Sequence, residues 1–138
     1  VISANGRLWL ARALIGAVLF FNVQSALAFL LSPETYAPGM ELGGAPGQAA
    51  VRGFGVLFLM WSVPYVVALS DPVRHRISLY EAVAMQAIGL LGESLIFASL
   101  PVAHAATRGA ITRFIAFDAA GLLALLLAAW LTRPSRPG

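Results

Sequence analysis

Residues 13–31 read ALIGAVLFFNVQSALAFLL, nineteen positions without one charged side chain. A helix that crosses a bilayer needs about 20 largely apolar residues, and this stretch meets that need almost alone. Working outward, Gly53 to Ser70 is also uncharged. Ala82 to Thr107 holds a single acid, Glu93, although its last part reads as a loop. Phe114 to Thr132 holds a single acid, Asp118. With interfacial ends added, the spacing predicts helices near 8–31, 50–70, 79–100 and 111–132. The expected fold is all-α: one integral-membrane domain over 1–132, an antiparallel up-down-up-down four-helix bundle, with a short tail at 133–138.

Composition agrees. The chain is 59% hydrophobic and 11% charged, whereas an ordinary soluble domain is roughly 45–50% apolar and about 25% charged. A soluble fold of 138 residues leaves too much surface in water to hide that apolar excess. All nine basic residues are arginines. They sit singly or in pairs at the ends of apolar runs, not in a patch interleaved with aromatics, so no nucleic-acid partner is implied. There is no cysteine, which removes disulfides, thiol chemistry and cysteine-held metal centres. The two histidines, His75 and His104, fall in connecting segments; no metal and no cofactor is expected.

Punctuation separates the spans. Pro33, Pro38, Gly39, Gly43, Gly44, Pro46 and Gly47 fill a first loop that is expected to take a shape without helix. Asp71-Pro72 ends the second span, and Ser78 with Glu81 has the spacing of a capping box opening the third. Pro101 closes the third, and Pro64 interrupts the second, where neighbouring helices satisfy the freed carbonyl. Ser25-Ala26-Leu27-Ala28 resembles a cleavage site, but the apolar run continues to Leu31, which favours a retained helix. Arg7, Arg12, Arg74, Arg76, Arg133 and Arg136 fall on one side of the bundle, and Arg52, Arg108 and Arg113 on the other. The positive-inside rule then places both termini in the cytoplasm, in a bacterial-type inner membrane, with Trp9 and Trp130 at the inner interface. His75, between Arg74 and Arg76, reads as an orientation signal or headgroup contact, and His104 as solvated.

Helices meet in lipid through small residues. Ala120, Ala124 and Ala128, Gly89 and Gly92 with Ala82, and Ala13, Gly16 and Ala17 read as packing seams. Leu122, Leu123, Leu125, Leu126 and Leu127 read as lipid contact.

An acid inside a membrane span costs roughly 2.5–3.5 kcal/mol on insertion scales and is a functional hypothesis by default. At about 1.5 Å per residue, Glu93 lies about 21 Å along its helix. Asp118, entering from the opposite end, reaches a similar level, as does Asn22 on the first helix, with Gln24 slightly further out. Gln86 shares the helix face of Glu93, with Gly89 between them. Arg52 is the expected partner of Glu93 or Asp118, reaching inward along its stem; Arg113 diverges from Asp118 around the fourth helix. Trp61, Tyr65 and Met60 are candidates to line an apolar pocket near Pro64. Such a cluster reads as structural glue, as a binding or proton-handling site, or as acids that snorkel outward.

Arg12 with Gly16, the Pro/Gly first loop and Arg52-Gly53-Phe54-Gly55 resemble the DoxX-like group of small four-helix membrane proteins. The resemblance implies the architecture and, from members similar to subunits of quinone-linked oxidoreductases, partnership with a redox enzyme in lipid. Three functions follow as expectations. The first is a protein that binds a lipid or quinone-like molecule, or an accessory subunit docked on a larger membrane complex. The second is a proton-coupled small-molecule transporter acting as a homodimer. The third is an intramembrane isomerase using Glu93 and Asp118 as acid and base.

Overall fold

The structure, a computed structural model, describes residues 3–133. Over these residues it is helical: α1 (Ala4–Leu31), α2 (Pro33–Tyr36), a 3-10 turn (Pro38–Met40), α3 (Gly44–Ser70), α4 (Arg76–Ser99) and α5 (Ala105–Leu131). The expected tail lies, beyond Arg133, outside the described residues. Helices α1, α3, α4 and α5 are long and apolar enough to cross a membrane. At about 1.5 Å per residue, the shortest of them, α4 with 24 residues, spans about 36 Å, more than the hydrocarbon thickness of about 30 Å.

Several expected boundaries move, for identifiable reasons. Prolines read as breakers are helix starters: Pro33 and Pro38 open α2 and the 3-10 turn, and Pro46 sits in the first turn of α3. The first N–H groups of a helix have no intrahelical partner, so proline loses nothing there. The first loop therefore contains helix, and α3 begins at Gly44 rather than near 50. Helix α5 begins at Ala105 rather than near 111. The Ser78–Glu81 capping box does not form, because α4 starts at Arg76 with His75 as its N-cap, leaving Ser78 already inside the helix. The α3–α4 connection is instead tied by Asp71, whose Oδ1 accepts from the amides of Val73 and Arg74 at 3.1 and 3.0 Å. The Arg74 amide, first among these contacts, holds the Asp71 carboxyl below its ordinary value.

Packing follows buried stripes. One core joins Ala11, Ile15 and Val18 of α1, Tyr65 and Ala68 of α3, Leu79 and Ala82 of α4, and Leu125 and Ala128 of α5. A smaller core, Phe29, Ala37 and Val51, closes the end beneath the first loop. The expected seams are partly displaced. Ala13, Ala17 and Ala120 are exposed, and Gly92 faces open space. Leu125, read as lipid contact, is fully buried, because it falls on the stripe of Gly121 and Ala128. Gly89 keeps its place as a close approach, against Asp118 of α5, and Gly55 and Gly121 join it. A Cβ at Gly55 would stand 2.8 Å from the Ala26 carbonyl of α1.

Arginines join the helix ends. Arg12 of α1 donates to the Ser70 carbonyl ending α3, at 2.5 Å. Arg76 at the start of α4 donates to the Thr132 carbonyl after α5, at 2.7 Å. Arg108 of α5 donates to the Phe97 and Leu100 carbonyls at the end of α4, at 3.0 and 2.6 Å. The last carbonyls of a helix lack intrahelical donors and carry partial negative charge, so a cation is favoured there.

Helix α4 is asymmetric. Its buried residues, Leu79, Ala82 and Gln86, all lie in its first half. From Gly89 onward it presents no buried side chain, and that half borders the site.

Candidate functional site

Two cavities meet at Glu93 and Gly89. The larger is a cleft of about 640 Å³. One wall is α3, with Phe54, Leu57, Phe58 and Trp61; the others are Ile88, Gly92 and Ile96 of α4 and Ala110, Ile111 and Phe114 of α5. Met40 and Leu42 of the first loop and Thr107 stand at its end. Among the described residues, Glu93 is its one ionisable lining residue. The smaller cavity, about 20 Å³, lies deeper and brings together Asn22, Tyr65, Gln86, Glu93 and Asp118 from four helices.

A hydrogen-bonded chain runs through the deeper cavity. The Tyr65 hydroxyl donates to Gln86 Oε1 at 2.6 Å, and Gln86 Nε2 donates to Asp118 Oδ1 at 2.8 Å. These two partners fix which way the Gln86 amide points. Tyr65 is 2% and Gln86 4% exposed, so a broken link would strand a polar group away from water. Beyond Asp118 stands the neighbouring carboxyl of Glu93, whose Oε2 is buried without a hydrogen-bond partner among the described residues.

Glycines make the room. A Cβ at Gly89 of α4 would overlap the Asp118 carboxylate of α5, and a Cβ at Gly121 of α5 would stand 2.5 Å from Gln86 Nε2 of α4. Each polar side chain thus lies over the glycine of the facing helix. In both helices that glycine follows the polar residue by three positions, on the same face.

The structure brings together five of the sequence candidates: Asn22, Gln86, Glu93, Asp118 and Trp61, the last lining both cavities. It adds Tyr65 in a different role from the one expected, as a hydrogen-bond donor to Gln86 rather than an apolar wall. It leaves out four. Arg52 is exposed and forms no ion pair among the described residues, so the expected Arg52–Glu93 or Arg52–Asp118 contact is not made. Gln24 and Arg113 line an adjoining cleft of about 300 Å³, beside Thr35 and Tyr36, which shares Met40, Ala110 and Phe114 with the larger one. Met60 is 60% exposed and lines neither cavity.

Aromatic rings missed by sequence reasoning build the cleft wall. Phe58 lies 5.7 Å from Trp61 and 6.3 Å from Phe114, centroid to centroid. The available clue was spacing: Phe114 is one helical turn from Asp118, and Phe58 and Trp61 are three apart. His104 is exposed, as expected, and it also holds a partner. Its Nδ1 lies 2.8 Å from Glu41 Oε2, which accepts from the Thr107 hydroxyl as well, at 2.8 Å. This contact pins the loop that carries Met40 and Leu42 to the start of α5, at the end of the cleft. The chain shows no significant match to a protein-family model, to a curated protein or to a solved structure.

Proposed function

We propose that this chain is a multi-pass membrane protein that binds an apolar small molecule, lipid-like or quinone-like in size, in the cleft between α3, α4 and α5. The observation that carries the reading is a cleft of about 640 Å³ with an almost wholly apolar lining and one carboxyl at its floor. Ligand sites are typically 300–1,000 Å³, mostly apolar, with a few placed polar groups. The tail of the ligand lies along the aromatic wall and its head meets Glu93.

The isomerase reading fares worse on size. Glu93 and Asp118 share a cavity of only about 20 Å³, room on the order of one water.

The antiparallel bundle belongs to the same proposal. Arg12 reaching Ser70, Arg76 reaching Thr132 and Arg108 reaching Leu100 each join the start of one helix to the end of another. The arginine excess at one end supports cytoplasmic termini in a bacterial-type inner membrane. The resemblance to the DoxX-like group is retained as a proposal about architecture, with docking on a larger membrane complex as its extension.

The experiment fills the cleft. Gly92 lines it, and a Cβ there meets nothing within 4 Å, so Gly92→Leu adds bulk without a backbone clash. The full chain and the variant are purified in mild detergent, and co-purifying apolar molecules are identified by native mass spectrometry. The reading expects a molecule retained by the parent and lost from Gly92→Leu. Identical apolar content in both proteins, at equal monodispersity, would overturn it.

A further inference from the structure

We propose that the molecule held in this cleft is a lipophilic cation, its positive charge placed between the aromatic wall and the Glu93 carboxyl. The inference rests on the reading of the cleft as an apolar ligand site and names the chemistry of its ligand.

Charge complementarity points to it first. Glu93 is the one charged residue lining the cleft, and Asp118 stands in the cavity behind it. Among the described residues, no arginine lines either cavity. Arg12, Arg76 and Arg108 are committed to helix-terminal carbonyls, Arg52 is exposed, and Arg113 is exposed in the adjoining cleft that shares Phe114. An anionic head would enter a poorly solvated cavity beside two acids with no cation to offset it. A cation supplies the counter-charge that the protein omits.

The wall offers a second attraction. Phe58, Trp61 and Phe114 form a contiguous aromatic surface, and Glu93 lines the same cleft. Ring faces attract cations, tryptophan most strongly, and the gain grows when the cation is desolvated. This attraction needs no N–H donor, so quaternary ammonium and phosphonium heads qualify. The hydrogen-bonding inventory agrees: the Gln86 amide is spent on Tyr65 and Asp118, and Glu93 Oε2 faces no donor among the described residues. Met40 and Met85 add flexible, polarisable contacts to the lining, which suits ligands of varied shape.

The test uses a pair of ions of one shape and opposite charge. Tetraphenylphosphonium, tetraphenylborate and a neutral decyl-substituted quinone are measured by equilibrium dialysis against the full chain in detergent, with empty micelles as baseline. Tetraphenylphosphonium is expected to bind at least tenfold more tightly than tetraphenylborate and to be excluded by Gly92→Leu. Glu93→Gln is expected to weaken the cation at least tenfold and to erase its advantage over tetraphenylborate. Equal or tighter binding of tetraphenylborate by the parent protein overturns the inference, and that comparison needs no variant to fold. Quinone binding that Gly92→Leu abolishes, with no cation binding, overturns the cation and leaves the apolar site standing. Failure of all three probes to bind in a way that Gly92→Leu removes overturns both.

Discussion

Gly89 of α4 lies directly beneath the carboxylate of Asp118 of α5, so closely that a Cβ at position 89 would overlap it, with Asp118 Cγ at 3.1 Å. The mirrored relationship holds between Gly121 and Gln86. Asp118 is therefore a side chain for which the facing helix has been cut away. The Gln86–Asp118 hydrogen bond at 2.8 Å closes the space between the two hollows.

Alanine at the two glycines of α4 should act with opposite sign. Gly92→Ala meets open space and gains helix propensity of up to about 1 kcal/mol, so its thermal midpoint in detergent should equal or exceed that of the parent. Gly89→Ala gains the same propensity but displaces Asp118, and overpacking of this kind costs about 1–3 kcal/mol. Its midpoint should fall, and Asp118→Ala combined with Gly89→Ala should recover part of the loss. A Gly89→Ala protein as stable as Gly92→Ala would refute the close approach.

The four spans and the depth of their polar residues were legible in the sequence, because hydrophobic length and a rise of 1.5 Å per residue are local quantities. Asn22, Glu93 and Asp118 could be assigned to one level, and Gln86 to the helix face of Glu93, on those grounds alone. Their neighbours could not. Arg52 looked like the natural counter-charge, yet whether an arginine turns inward depends on what the facing helix leaves open, which one helix's periodicity does not encode. The Ala120, Ala124 and Ala128 stripe looked like a seam by composition, but the seam follows Gly121, Leu125 and Ala128, one position around the helix. The first loop misled because proline is a breaker inside a helix and harmless in its first turn.

Tyr65→Phe removes one hydroxyl with little change in volume, and with it the short hydrogen bond to Gln86 Oε1 and the longer one, 3.3 Å, to the Ala82 carbonyl. Polar links between membrane helices average about 0.6 kcal/mol and reach about 1.7. The expected loss lies in that range, read as a lowered thermal or denaturant midpoint. Gln86→Leu should cost less when Tyr65 is already Phe. Additive losses in the double mutant would show that the two side chains do not act together.

The loop latch should weaken in acid. Thr107 first, then His104, hold the Glu41 carboxyl below its ordinary value of 4.5. A depressed carboxyl contributes stability that is fully present above the ordinary value and lost as pH falls through the lowered one. The contribution is small, because Glu41 is solvent-exposed. Glu41→Gln is the suitable probe: Glu41 sits at a φ of 57°, and Gln leaves that backbone strain nearly unchanged where Gly would relieve it. The parent should exceed Glu41→Gln in thermal midpoint at pH 7, and the gap should close as pH drops below about 4. A gap that stays constant from pH 7 to pH 3 would mean that the carboxylate is not what holds the loop.

The arginines at the helix ends differ in how much each one secures. Arg108 donates to two carbonyls, Phe97 and Leu100, and its guanidinium lies 4.0 Å from the centre of the Phe97 ring. Arg12 reaches one carbonyl, Ser70, and its Nε is buried without a partner. Charged hydrogen bonds contribute about 1.5–3 kcal/mol each when well placed, less where water competes. Arg108→Leu should therefore lower the thermal midpoint more than Arg12→Leu. Arg108→Lys should recover only part of the loss, because an ammonium does not reproduce the planar fork or its stacking on an aromatic face. Hydrogen exchange supplies the local check: amides near the end of α4, residues 96–100, should exchange faster in Arg108→Leu, while those ending α3 remain unchanged. Equal acceleration at both ends would mean that Arg108 supports the bundle as a whole and does not cap α4.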